Sequence, residues 1–255
     1  MQISYLYFNT IKVINQYHMF FILSLQCNFR NMNIDKVLLI LIIANVLFSI
    51  KGFSDRSFFD KYKFQIGAIN RGEKIRMFSS AFLHVDYIHL LLNMYVLYIF
   101  APVIIIKLGV LKFLIIYVGS LFAGSILTQT YHKNELYYSA VGASGAVAGI
   151  IYASILLNPG MNLMMFPLPI PIPGYIFGVG YLLYSIYGMK KQIGNVGHTA
   201  HLGGAIGGYA LLLLVYPEAF LHSTMTVILL GIPIVLLLLF GHKLKWKKPN
   251  ESLAF

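Results

Sequence analysis

Fifty-four consecutive residues, Leu136 to Met189, carry no charged side chain. A bilayer core takes roughly 20 apolar residues per helix, so this run is too long for one crossing and has to be divided. The proline-rich "PLPIPIPG" at 167–174 divides it, because proline cannot continue a helix. Spans are predicted near 139–157 and 174–189. Tyr87–Ile106, Phe113–Tyr131, Gln192–Pro217 and Ser223–Gly241 are further charge-free runs of spanning length. Val37–Ile50 has only 14 residues, but the lysines at its ends, Lys36 and Lys51, can snorkel. The pattern predicts seven spans in an all-α, polytopic membrane protein.

Composition agrees, with 58% hydrophobic and 11% charged residues where soluble domains carry about 25% charged. The net charge of +11 sits in short loops between apolar runs, which suits lipid headgroups and not nucleic acid. With a single cysteine, Cys27, no disulfide within the chain can form. "HMFFILSLQ" (18–26) is a short apolar run without an Ala-x-Ala-like cleavage site, so it is not read as a signal peptide. Residues 1–33 are expected to be a poorly ordered extension. Residues 34–216 are expected to form a six-helix core, and 217–255 an extra helix with a basic tail.

Polar groups at membrane depth are costly and are candidate functional sites by default. All eight acidic residues lie at span edges or in loops. That counts against an ion-coupled transporter and excludes a pair of intramembrane aspartates. No His-Glu-x-x-His motif occurs either. His89, Asn93, Ser144 and His201 remain. His89 and Asn93, in "HLLLN", share one helix face. Ser144 lies in "GASG", beside a small-residue stripe of Gly145, Gly149 and Ala153. His201 lies in "AHLGGAIGG", on the stripe of Gly204 and Gly208. If the two stripes pack together, an imidazole comes within reach of a serine hydroxyl and can take its proton. Taken singly, each residue fits a structural role; their joint occurrence on three spans favours catalysis.

The chain resembles the rhomboid intramembrane serine proteases through "KIRMFSSAFLHVDYIHLLLNMYVLYIF" (74–100), "GASG" (142–145) and "AHLGGAIGG" (200–208). The resemblance implies Ser144 as nucleophile, His201 as base, and His89 with Asn93 at the oxyanion. His84 matches a further histidine often found in the family. It implies transmembrane protein substrates cut near the bilayer surface, with no metal or cofactor required. Three positions depart from the family pattern. Ile75 replaces a tryptophan beside Arg76, and Ile105 replaces a glutamate near the end of the second span. Ala148 stands where some members place an aromatic ring against the histidine, so other packing must hold His201. A non-catalytic, helix-binding rhomboid-like protein is the alternative reading.

Orientation draws two arguments into conflict. With seven spans, one side receives 14 of the Lys and Arg residues and the other 5, so the positive-inside rule makes the first side cytoplasmic. The family resemblance puts that side outside a cell (inner) membrane, with the serine opening outward. The resemblance is preferred, because half of the 14 lie in the 51–76 loop, which in the family folds as an ordered element at the interface.

Overall fold

The computed structural model describes residues 34–165, 168–191 and 197–240. The expected extension at 1–33 and the basic tail beyond 240 lie outside these residues. Seven long helices follow the predicted spans: α1 (Lys36–Ser54), α5 (Tyr87–Leu108), α6 (Val110–Tyr131), α7 (Ser144–Leu157), α8 (Gly174–Lys191), α9 (His198–Val215) and α11 (Thr224–Phe240). Short helices fill the connections: α2 (Arg56–Tyr62), α3 (Ile66–Asn70), α4 (Arg76–Ser79) and α10 (Ala219–His222). By length and composition α1, α5, α6 and α9 can each cross a membrane, while α7 and α11 are shorter apolar helices.

Helix α9 packs most extensively on α6 and α7, and its glycines determine how closely. A Cβ on Gly204 would overlap the Gly145 carbonyl, and one on Gly208 would overlap the Gly149 backbone. The stripes that contain Ser144 and His201 therefore meet backbone to backbone. On the adjoining face, a Cβ at Gly203 would lie 2.7 Å from the Ala123 carbonyl oxygen of α6. Lipid tails are as apolar as leucine, so burial alone does not drive such helices together; close contact between small residues does.

The charged 51–76 connection is ordered. Asp55 caps α2 by accepting from the Phe58 N–H at 3.0 Å. Arg76 is buried, yet each of its three guanidinium nitrogens has a partner. It reaches Glu73 at 2.8 Å and donates to the carbonyls of Asp60 and Lys63 at 2.7 and 3.0 Å. A buried cation without such partners would be costly. Two residues of this connection also pair with the approach to Ser144. Strands β1 (Phe64–Gln65) and β2 (Ser139–Ala140) are antiparallel, with Phe64 opposite Ala140.

At the other end of α7, the proline-rich stretch does more than interrupt a helix. It forms a hairpin, β3 (Asn162–Met165) against β4 (Leu168–Pro173), where no strand was expected. The last carbonyls of α7 lack partners within the helix. Lys107 donates to Leu157 O at 2.5 Å and Ser223 to Leu156 O at 2.7 Å. Lys107 thus ties the end of α5 to α7 in the region where Ile105 replaces the family's glutamate. Ser223 brings the start of α11 into the same contact.

These contacts make an asymmetric prediction about glycines. Gly204→Ala should lower stability by about 1–3 kcal/mol, as overpacking does. Gly180→Ala in α8, which meets nothing within 4 Å, should be neutral or stabilising, by up to about 1 kcal/mol of helix propensity. Unfolding in mixed micelles measures both; equal effects would contradict the close packing of α7 and α9.

Candidate active site

Ser144 opens α7, and the two residues before it are individually constrained. Gly142 has φ +123°, a left-handed conformation that side chains rarely adopt. A Cβ there would also lie 2.7 Å from the His89 ring and 3.7 Å from Ser144 Oγ. Glycine is required twice over, and the His89 imidazole edge is thereby close to the serine hydroxyl. The Gly142 N–H donates to Ser80 O at 3.0 Å. The Ala143 N–H points at His84 Nε2, at 3.4 Å.

That last contact fixes the His84 tautomer. A backbone N–H can only donate, so Nε2 carries a lone pair and Nδ1 carries the proton. Ser49 Oγ, 2.8 Å from Nδ1, accepts it and donates its own proton to Phe82 O at 3.0 Å. His84 thus links α1, the turn before α5 and the backbone next to Ser144. Its ring also meets that of His89 edge-on, with centroids 5.0 Å apart. Burial, and then the neighbouring His89, push the His84 pKa down to about 3, against a smaller opposing effect of Asp86.

His89 and Asn93 follow on α5, whose N-cap Asp86 accepts from the His89 N–H at 2.7 Å. Asn93 is buried and donates to His89 O at 2.9 Å, which uses one of its two amide protons. His201 lies in the first turn of α9. Its neighbour Ala200 presents a carbonyl 3.2 Å from where a Gly145 Cβ would be, so the chain beside His201 touches the chain beside Ser144. Ser144, His201, His89 and Asn93 all line one cavity of about 1460 Å³, as do Ala148 and Tyr181.

Two groups near the site were not foreseen from sequence. Tyr181 of α8 stacks on His201, with centroids 6.0 Å apart and planes 24° apart. The Ala148 departure signalled that some other side chain must pack on His201, but not which one. The second group holds the loop before Ser144. His132 pairs with Glu135 at 2.9 Å and stacks on Tyr138 at 3.6 Å between centroids.

A sequence model of the rhomboid domain matches residues 71–218. The chain belongs to the rhomboid family. Among its rhomboid relatives, the yeast (Saccharomyces cerevisiae) Rhomboid protein 1, mitochondrial, is 30% identical over 138 residues, or 53% of this chain and 40% of the relative. RHOMBOID-like protein 12, mitochondrial, of Arabidopsis thaliana is 27% identical over 186 residues, or 66% and 55%. The Bacillus subtilis protein YdcA is 31% identical over 159 residues, or 59% and 71%. The chain thus spans about half the length of the two mitochondrial relatives. As a rhomboid it is a multi-pass membrane protein.

The His84 geometry sets a pH dependence for this rhomboid. Its folded pKa, about 3, lies below its ordinary 6.5, so between those values the unfolded chain binds more protons. Its contribution to stability is complete above pH 6.5 and is lost as pH falls from 6.5 toward 3. Melting in micelles should therefore shift downward on acidification from pH 7 to pH 4.5. His84→Gln should flatten that slope and should destabilise the protein at pH 7 by about 1–3 kcal/mol, as expected for breaking a buried polar contact. An unchanged slope would refute the assignment.

Proposed function

We propose that this rhomboid is an intramembrane serine endopeptidase acting through a Ser144–His201 dyad. The observation that carries the reading is the convergence of Ser144, His201, His89 and Asn93, from three helices, on one cavity. His201 takes the hydroxyl proton as Ser144 Oγ attacks a peptide carbonyl. The negative charge then builds on the carbonyl oxygen. His89, the Asn93 amide and the Ser144 N–H at the positive end of α7 are suited to stabilise it. Collapse of the tetrahedral adduct breaks the C–N bond, and His201 returns the proton to the leaving amine. Water, activated by the same imidazole, then hydrolyses the acyl-enzyme.

The length of α7 supports an intramembrane reaction. Its 14 residues rise about 21 Å, short of a hydrocarbon core of about 30 Å. A helix this short leaves one end inside the hydrocarbon layer, and in this reading that end is Ser144, reached through the cavity. Substrates of this site are transmembrane segments that unwind locally to present a peptide bond. We place the protein in a cell membrane, with the serine opening outward. The support is the ordered 51–76 connection and YdcA, whose match covers more of the relative's length than either mitochondrial one does.

Ser144→Ala and His201→Ala should each abolish cleavage of a model transmembrane substrate without loss of fold. Asn93→Ala should slow turnover by up to about 10²–10³, as removal of one oxyanion donor does. Substantial proteolysis by purified Ser144→Ala would refute the mechanism. For orientation, Tyr137 is 92% exposed in the loop before Ser144. In a Cys27→Ser background, Tyr137→Cys should be labelled by an impermeant maleimide in intact cells; labelling only after lysis would reverse the orientation.

A further inference from the structure

His201 needs its ring plane fixed to act on Ser144, and among the described residues no carboxylate lies beside it to orient the imidazole. The α7 side offers only the Ala148 methyl at the position of the ring in some relatives. A stacked ring comes from α8, while His198 of α9 meets His201 edge-on with centroids 6.4 Å apart. Phe177 stacks on Tyr181 with centroids 6.0 Å apart and planes 22° apart, and Tyr181 stacks on His201. Tyr152 of α7 packs at 6.4 Å from Tyr181, and its hydroxyl donates to Gly178 O on the same face of α8. From behind, a Cβ on Gly178 would lie 2.6 Å from Leu230 of α11, so the helix outside the six-helix core presses on α8 one turn below Tyr181.

We propose that Tyr181 is the positioning residue for the general base, holding the His201 ring in its working plane from α8 in place of an aromatic residue on α7. The inference rests on the dyad reading above. Free rotation of the imidazole would spread its lone pair over many directions, and small misplacements of a reacting group cost up to about 10²-fold in rate. The ring face carries the contact, so the Tyr181 hydroxyl is dispensable. The demand is geometric, so an aromatic ring supplied from position 148 should meet it too.

The test is the rate of acylation of the purified full chain in micelles by a fluorophosphonate probe, resolved into kinact and KI. Tyr181→Leu, which keeps bulk without a ring, should lower kinact by about ten- to hundredfold, with KI changed far less. Tyr181→Phe should retain the wild-type kinact. Adding Ala148→Phe to Tyr181→Leu should restore most of the loss. Equal kinact in folded Leu and Phe variants overturns the proposal, as does a loss confined to KI. Failure of the dyad itself reads differently: wild type would then be unlabelled, or His201→Ala would be labelled as fast as wild type.

Discussion

The backbone contact between α7 and α9 is the constraint on which the remaining geometry depends. At Gly145–Gly204 and Gly149–Gly208 no side chain separates the two helices. A side-chain interface can absorb an error by changing rotamer, but two backbones in contact can only separate. The register of α7 on α9 is therefore fixed. The residue before Gly145 and the residue after Ala200 then lie in one layer beside the cavity. Bringing the two helices together in this way relies on backbone contact at glycines, which suits a medium where each unpaired polar group is costly.

At the Ser144 end of the helices a set of polar groups ties the connections to that contact. Arg76 organises the α1–α5 connection through the carbonyls of Asp60 and Lys63. The β1–β2 pairing carries that order to residues 139–140, and His84 carries it to the Ala143 amide. Two contacts from that connection thus converge on residues 139–143, just before α7. A glycine at φ +123° makes the chain there intrinsically free. Its neighbours remove that freedom, and without them the serine would sit on a swivel.

The helices and the four candidate residues were legible in the sequence because both signals are local. Charge-free runs mark spans, and a serine or histidine set among glycines marks a contact. The prediction of 174–189 for α8, observed at Gly174–Lys191, shows how well charges and prolines mark the ends. The pairing of β3 with β4 was missed because a proline-rich stretch signals the end of a helix but not the pairing of two strands. Tyr181 was missed for another reason. It is one of 18 tyrosines, and only the packing of α8 singles it out.

The departures from the family pattern share a form. Ile105 removes a glutamate near the end of α5, and Lys107 from the same region bonds the final carbonyl of α7. Ala148 removes an aromatic ring from α7, and α8 presents one to His201 instead. In both places another side chain occupies the region, but the Lys107 ammonium donates where a glutamate carboxylate accepts, so only the flat surface beside the imidazole is a like-for-like replacement. The chain can meet a requirement for such a surface from any element that reaches the spot. In the proposed mechanism Ser144 and His201 have no such latitude, because each must bring one particular atom to the reacting centre from a helix whose register is already fixed. Positions that supply chemistry can be recognised by residue type in a sequence, whereas those that supply shape migrate between helices and emerge only from the packing.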